Sequence, residues 1–205
     1  PDGTSVQDQP AEAWAQTLRE VRNVGFDAVD LTDSWLKPAD LPAHRLAEFK
    51  DVLATTGLAA PVLSIVRTSV VEPVHGAANF DYTLRSIEAA AELGAGTLSL
   101  GLHQPLTPAQ RQRLWFWTAE GAGDPIGDAD TWQLAVQRFR EVGRRAADYG
   151  MLVSLELYED TYLGTADSAV RLIEDIGRAN VGLNPDIGNL VRLHRPIESW
   201  QEILH

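Results

Sequence analysis

Val153-Ser-Leu-Glu-Leu-Tyr-Glu159 alternates apolar and polar residues with a period of two. In a strand that period turns Leu155 and Leu157 to one face and Ser154, Glu156 and Tyr158 to the other. Helices and strands alternate along this chain, so its strands are expected to be parallel and buried on both faces, a setting that ordinarily demands near-continuous apolar runs. Val181-Gly-Leu-Asn-Pro-Asp-Ile-Gly-Asn189 breaks the rule in the same way, with Leu183 facing out and Gly182, Asn184 and Asp186 facing in. An earlier strand does so too: Thr97, Ser99, Gly101 and His103 share one face, and Leu98, Leu100 and Leu102 take the other. An open doubly wound sheet is covered by helices on both faces, whereas a closed barrel has one face toward helices and one toward a lumen. One polar face therefore predicts an α/β protein of the (β/α)8 TIM-barrel class, with a five-stranded open α/β domain as the alternative.

Outward from these strands one unit recurs. An amphipathic segment ends at a glycine, and an apolar strand follows within a few residues. Gly25, Gly57, Gly94, Gly150 and Gly177 occupy the position just past a helix C-terminus, where a left-handed backbone is needed. The helices they close run from Ala11 to Asn23, Pro42 to Thr56, Phe80 to Leu93, Thr131 to Tyr149 and Thr165 to Ile176, with Pro10 and Thr131 as start signals. The strands run from Ala28 to Thr32, Ala60 to Val66, Thr97 to His103, Leu152 to Glu159 and Val181 to Asp186. About five βα units are countable where a barrel has eight. Residues 1–205 are thus expected to form a single, incomplete TIM-barrel domain, with one strand before Pro1 and two after His205 supplied by a longer polypeptide or a partner.

Composition narrows the function. With 44% hydrophobic residues and six Trp there is material for a sizeable core, and the chain reads as soluble and globular. No apolar run is long enough to predict a membrane span, and the N-terminal residues lack a signal-peptide pattern, which fits a cytoplasmic location. A net charge of −12 and the absence of a basic stripe argue against nucleic acid as a partner. With no Cys, any metal must be held by oxygen and imidazole ligands.

Glu156 and Asp186 fall near the C-terminal ends of their strands, where barrel side chains converge on the active site. Two carboxylates facing one interior call for a cation, and hard oxygens suit Mn²⁺, Mg²⁺ or Zn²⁺; the structural alternative pairs each with an Arg such as Arg67 or Arg192. His103 ends its strand on the inward face, where an imidazole can shuttle a proton or simply satisfy the rim. Tyr158 and Asn184 are inward neighbours able to bind substrate hydroxyls or to serve ordinary interior hydrogen bonding, while His75 and His194 read as surface residues. Residues 104–130 form a long excursion between a strand and the next helix, expected to be a lid or a partner contact. Within it Trp115 and Trp117 are candidates to stack on a sugar or aromatic ring, to anchor a partner subunit or to plug the core.

Gly25-Phe-Asp-Ala-Val-Asp-Leu31, Glu92-Leu-Gly-Ala-Gly96, Leu155-Glu-Leu157 and Gly182-Leu-Asn-Pro-Asp-Ile-Gly-Asn189 together resemble the sugar isomerase and epimerase superfamily of xylose-isomerase-like TIM barrels, over nearly the whole chain. The resemblance implies that Glu156 and Asp186 ligate one divalent cation, Mn²⁺ foremost with Mg²⁺, Co²⁺ or Zn²⁺ as alternatives, and that a His and a Glu on later strands beyond this sequence complete the site. It further implies that Glu156 acts as ligand and base, with His103 as a second proton shuttle. Asn189 departs from the pattern, since many relatives carry a substrate-contacting His there. The Trp-rich insertion and His103 resemble the larger subunit of bacterial C-glycoside deglycosidases, manganese-dependent heteromers with a smaller partner subunit that cleave 3-oxo-C-glucosides by elimination. The expected activity is proton abstraction beside a sugar carbonyl, leading to C-glycoside deglycosidation or to ketose/aldose isomerisation or 3-epimerisation of a small-molecule sugar or glycoside. An endonuclease IV type of metalloenzyme and a non-catalytic scaffold subunit are the competing classes; the acidic balance and only five His argue against the first.

Overall fold

The computed structural model describes residues 4–65 and 67–189. Five strands, β1 (Ala28–Thr32), β2 (Ala59–Ile65), β3 (Thr97–Leu100), β4 (Leu152–Glu156) and β5 (Val181–Asn184), form one sheet in the order β1-β2-β3-β4-β5. Every neighbouring pair is parallel. Between them lie α2 (Ala43–Thr56), α3 (Gly76–Glu92), the short α4 (Pro108–Arg111), α5 (Ala129–Asp148) and α6 (Ala166–Ile176), with α1 (Ala11–Asn23) preceding β1. Strands added one after another in a single direction, each by a right-handed crossover, leave every long helix on the same side of the sheet. A doubly wound sheet would reverse direction at a switch point. The sequential order is that of a TIM barrel.

Periodicity places the core. Leu63, Leu98 and Leu155 are fully buried on the helix-facing side, against Phe49, Ile87, Phe139 and Leu172 of the surrounding helices. Each such side chain is worth roughly 2 kcal/mol of burial. On the opposite face the register aligns Thr32, Ser64, Ser99, Ser154 and Gly182 in one row across all five strands. Asp30, nearer the N-terminal end of that face, accepts from the Ser64 hydroxyl at 2.7 and 2.8 Å, and burial raises its pKa. Glu156 pairs in register with Asn184 at the opposite, C-terminal end.

The five punctuating glycines all have positive φ, and at Gly57 and Gly177 the left-handed residue terminates α2 and α6 directly. Several boundaries differ from those expected. The ladder of β3 stops at Leu100 and that of β4 at Glu156, so His103 and Tyr158 stand on the loops that follow. β5 ends at Asn184, leaving Asp186 just beyond it. Helix α3 starts at Gly76 rather than Phe80, and α5 starts at Ala129 rather than Thr131 because Asp128 is the cap, its carboxylate accepting from the Asp130 N–H at 3.0 Å. Val66, Arg192, His194 and the helix expected near Ile197 lie outside the described residues.

Candidate metal and active site at the strand ends

Glu156 is the last residue of β4, and Asp186 follows β5 by two residues, so adjacent parallel strands carry the two carboxylates to one end of the sheet. The turn after β5 folds onto itself: the Asp186 N–H donates to the Asn184 carbonyl at 2.9 Å, and Asp186 Oδ1 accepts from the Gly188 N–H at 2.6 Å. That turn returns Asn189 to β4. Its Nδ2 donates to the Leu157 carbonyl at 2.8 Å and reaches Glu156 Oε1 at 3.3 Å and Asp186 Oδ2 at 3.4 Å. One amide therefore bridges both carboxylates.

The electrostatics follow from this crowding. Burial pushes Glu156 up to about 7, and the neighbouring Asp186 carboxylate adds to the rise; the Asn189 hydrogen bond and the Arg67 charge oppose it. Two close carboxylates disfavour joint ionisation unless a cation joins them. Hard oxygen donors at adjacent strand ends, one of them pushed up by burial and by its neighbour, fit a divalent ion of the magnesium or manganese kind. Among the described residues no third His, Asp or Glu joins this pair.

His103 is buried, and its ring meets Tyr158 edge-on with centroids 3.8 Å apart. Tyr158 lies two residues beyond Glu156, so the structure brings His103, Tyr158, Glu156 and Asp186 to one end of the sheet. The Asn184 side chain is half-buried on the lumen face beside Glu156. Arg67, beyond the end of β2, makes no ion pair among the described residues; its guanidinium stacks over Phe116 at 4.7 Å and sits 5.8 Å from the Tyr158 ring. The salt-bridge alternative for Glu156 is accordingly a through-space influence of Arg67 rather than a contact.

The excursion from Gln104 to Asp128 is ordered by a buried carboxylate. Asp124 accepts from Gln104 Nε2 and from the Tyr162 N–H, both at 2.8 Å, with its pKa raised by burial, and its own N–H donates to the Asp160 carbonyl at 2.7 Å. Thr107 and Gln110 form a reciprocal capping box around α4. Trp117 faces a cavity between this excursion and Tyr158, whereas Trp115 is absent from its lining and stands 56% exposed beside Leu114 at 88%. Neither plugs the core. Sequence reasoning names Arg67 as a charge partner for the carboxylates but not its stacking over Phe116, and it does not reach the bridging role of Asn189, for which the Asp-x-x-Asn spacing is the one available signal.

A parallel, sequentially ordered barrel sheet with paired carboxylates at its C-terminal end defines the class. Residues 18–204 match the family model described as xylose isomerase-like TIM barrel, and the chain belongs to that family. A solved xylose isomerase-like TIM barrel protein from Mycobacterium smegmatis, in complex with magnesium, is 45% identical with a TM-score of 0.92, covering 99% of this chain and 65% of that one. A ketose 3-epimerase from Arthrobacter globiformis is 28% identical over 187 residues, 86% of this chain and 57% of that protein. The 3-keto-D-glucoside 4-epimerase of E. coli shares the fold at 16% identity, with a TM-score of 0.67 over 93% of this chain and 68% of that one. The chain spans less than two thirds of the length of the first two relatives. Among the described residues no helix is long and apolar enough to cross a membrane.

Proposed function

We propose that this protein is a divalent-metal-dependent sugar epimerase or isomerase that removes a proton from the carbon beside a sugar carbonyl. The observation that carries this reading is the Glu156–Asp186 pair, bridged by Asn189, with Glu156 poised near neutrality. Glu156 and Asp186 would hold the cation, with Mn²⁺ foremost. When bound, it supplies Lewis-acid polarisation of the carbonyl and charge for the enediolate. With a cation joining it to Asp186, Glu156 is held ionised, and as a carboxylate at the end of β4 it takes the proton from carbon. His103, against Tyr158, serves the return of a proton from the second side, while Tyr158 and Asn184 bind substrate hydroxyls.

A second reading is elimination from a 3-oxo-C-glucoside. The same proton leaves the carbon beside the carbonyl, the bond from the β-carbon to the aglycone breaks, and the aglycone departs with that electron pair and takes up a proton. What favours it is the cavity beneath the Trp-rich excursion, which opens beside the end of β4. The exposed Leu114 and Trp115 support its corollary, contact with a smaller partner subunit in a cytoplasmic hetero-oligomer.

Both readings predict that Glu156→Gln and Asp186→Asn lower uptake of solvent deuterium beside the carbonyl at least 100-fold, measured by NMR on D-fructose, D-psicose and a 3-oxo-glucoside. Full metal content and full exchange in both variants would overturn them.

A further inference from the structure

A cavity of about 320 Å³ opens between the excursion and the end of β4, lined by Arg67, Gln110, Trp117, Tyr158 and Glu159 among others. That is near the small end of ligand sites, about 300–1,000 Å³. Its lining includes Tyr158, two residues beyond Glu156, and Arg67, whose charge acts on Glu156, but neither Glu156 nor Asp186. Whatever fills it lies beside the reacting carbon rather than on it. We infer that this cavity is a subsite for a second hydroxylated ring joined to the reacting sugar, so that the substrate is a glycoside rather than a free monosaccharide. The inference rests on the proposed reaction centre at Glu156 and Asp186.

The wall is built rather than loose. The Asp124 clamp fixes the excursion, and at Gly123 the backbone approaches so closely that a Cβ would lie 2.6 Å from the Asp160 carbonyl. At Gly121 a Cβ would come within 3.0 Å of Gln110 Nε2. The donors are set. Gln110 Oε1 accepts from the Thr107 N–H at 3.0 Å, which fixes the amide and leaves its NH₂ without an acceptor among the described residues. Stacking on Phe116 holds the Arg67 guanidinium plane while leaving its N–H edge available. Glu120, Glu159 and Asp160 also belong to the lining, and their side chains when ionised can only accept. A hydroxyl both donates and accepts, so this mixture suits a polyol ring, and the Trp117 face suits its C–H surface. Three carboxylates disfavour the phosphate that Arg67 alone would attract.

The test uses the full-length protein loaded with Mn²⁺ and three probes: methyl 3-oxo-β-D-glucoside, its phenyl counterpart and 3-oxo-cellobiose. Deuterium uptake gives kcat/KM, and ligand-observed saturation-transfer NMR gives binding. The expected result is a kcat/KM for 3-oxo-cellobiose at least tenfold above the methyl glycoside, with the phenyl glycoside between them. Gln110→Glu keeps the acceptor for the Thr107 N–H, and with it the capping box, but replaces the donor by an acceptor; it should lower the disaccharide-to-methyl ratio at least fivefold. Arg67→Gln should lower that ratio as well. Equal kcat/KM for the disaccharide and the methyl glycoside, or a ratio unmoved in both variants, overturns the subsite while leaving the reaction standing. If no probe exchanges deuterium but disaccharide binding is seen and is lost in Gln110→Glu, the subsite stands and the reaction falls. Neither exchange nor binding overturns both.

Discussion

Because burial and the Asp186 charge push Glu156 up to about 7, a cation entering this site must displace a proton whenever the pH is near or below that value. The apparent affinity then follows the ionised fraction of Glu156, about 9% at pH 6, 50% at pH 7 and 91% at pH 8 for a pKa of about 7. Affinity for Mn²⁺ should rise about tenfold from pH 6 to pH 8, or about 1.4 kcal/mol, and level off above. Binding should release about 0.9 proton per ion at pH 6 and about 0.1 at pH 8. Titration calorimetry in two buffers of unequal ionisation heat measures both quantities. Arg67 sharpens the test. Its positive charge opposes the rise at Glu156, so Arg67→Met should push the carboxyl further up and move the whole affinity profile to higher pH. Glu156→Gln should weaken binding and abolish the proton release. Affinity that is flat from pH 6 to pH 8, with no proton released at pH 6, would refute the argument that these carboxylates share one crowded site.

Three further outcomes test how the frame supports that site. Asp33, buried after β1, is pushed from 3.8 up to about 6 by desolvation, with the Lys37 charge opposing the rise and the Asp40 charge adding to it. Its folded-state pKa is raised, so stability is greatest below about pH 4, falls as pH rises toward 6 and is level above; Asp33→Asn should flatten that slope and raise urea-unfolding stability at pH 8 by about 1–3 kcal/mol. Asp124→Ala strands the Gln104 amide and the Tyr162 N–H, a loss of about 2–3 kcal/mol that should appear as faster trypsin cleavage at Arg111 and Arg113. Gly143→Ala improves helix propensity by about 1 kcal/mol, yet its Cβ would lie 2.6 Å from Val181 Cγ2 and 3.0 Å from Arg178 Cδ. Overpacking of about 1–3 kcal/mol should win, so the melting temperature should fall.

The strands and their covering helices are legible in the sequence because side-chain direction in them follows from a period alone. Leu63, Leu98 and Leu155 face helices and Ser64, Ser99 and Ser154 face the lumen, as alternation requires. The same alternation overruns the strand ends, since the pattern continues through His103 and Tyr158 after the ladder has stopped at Leu100 and Glu156. Thr131 is a misleading start signal for α5 because a hydroxyl and a carboxylate both make good caps; the position falls to Asp128, which also accepts from the Thr131 hydroxyl at 2.7 Å. Other features depend on where a loop returns. Asn189 bridges Glu156 and Asp186 through a turn after β5 that closes at Gly188, and Arg67, just past β2, stacks on Phe116 of the later excursion. Neither placement has a period to reveal it. This division has a chemical consequence: Glu156 ends β4 and Asp186 follows β5 by two residues, whereas the groups around the neighbouring cavity, Arg67, Gln110 and Trp117, belong to the segments that link a strand to the next long helix. In such a barrel the reaction class is written in the strands, and the choice of substrate falls to loops free to vary without disturbing them.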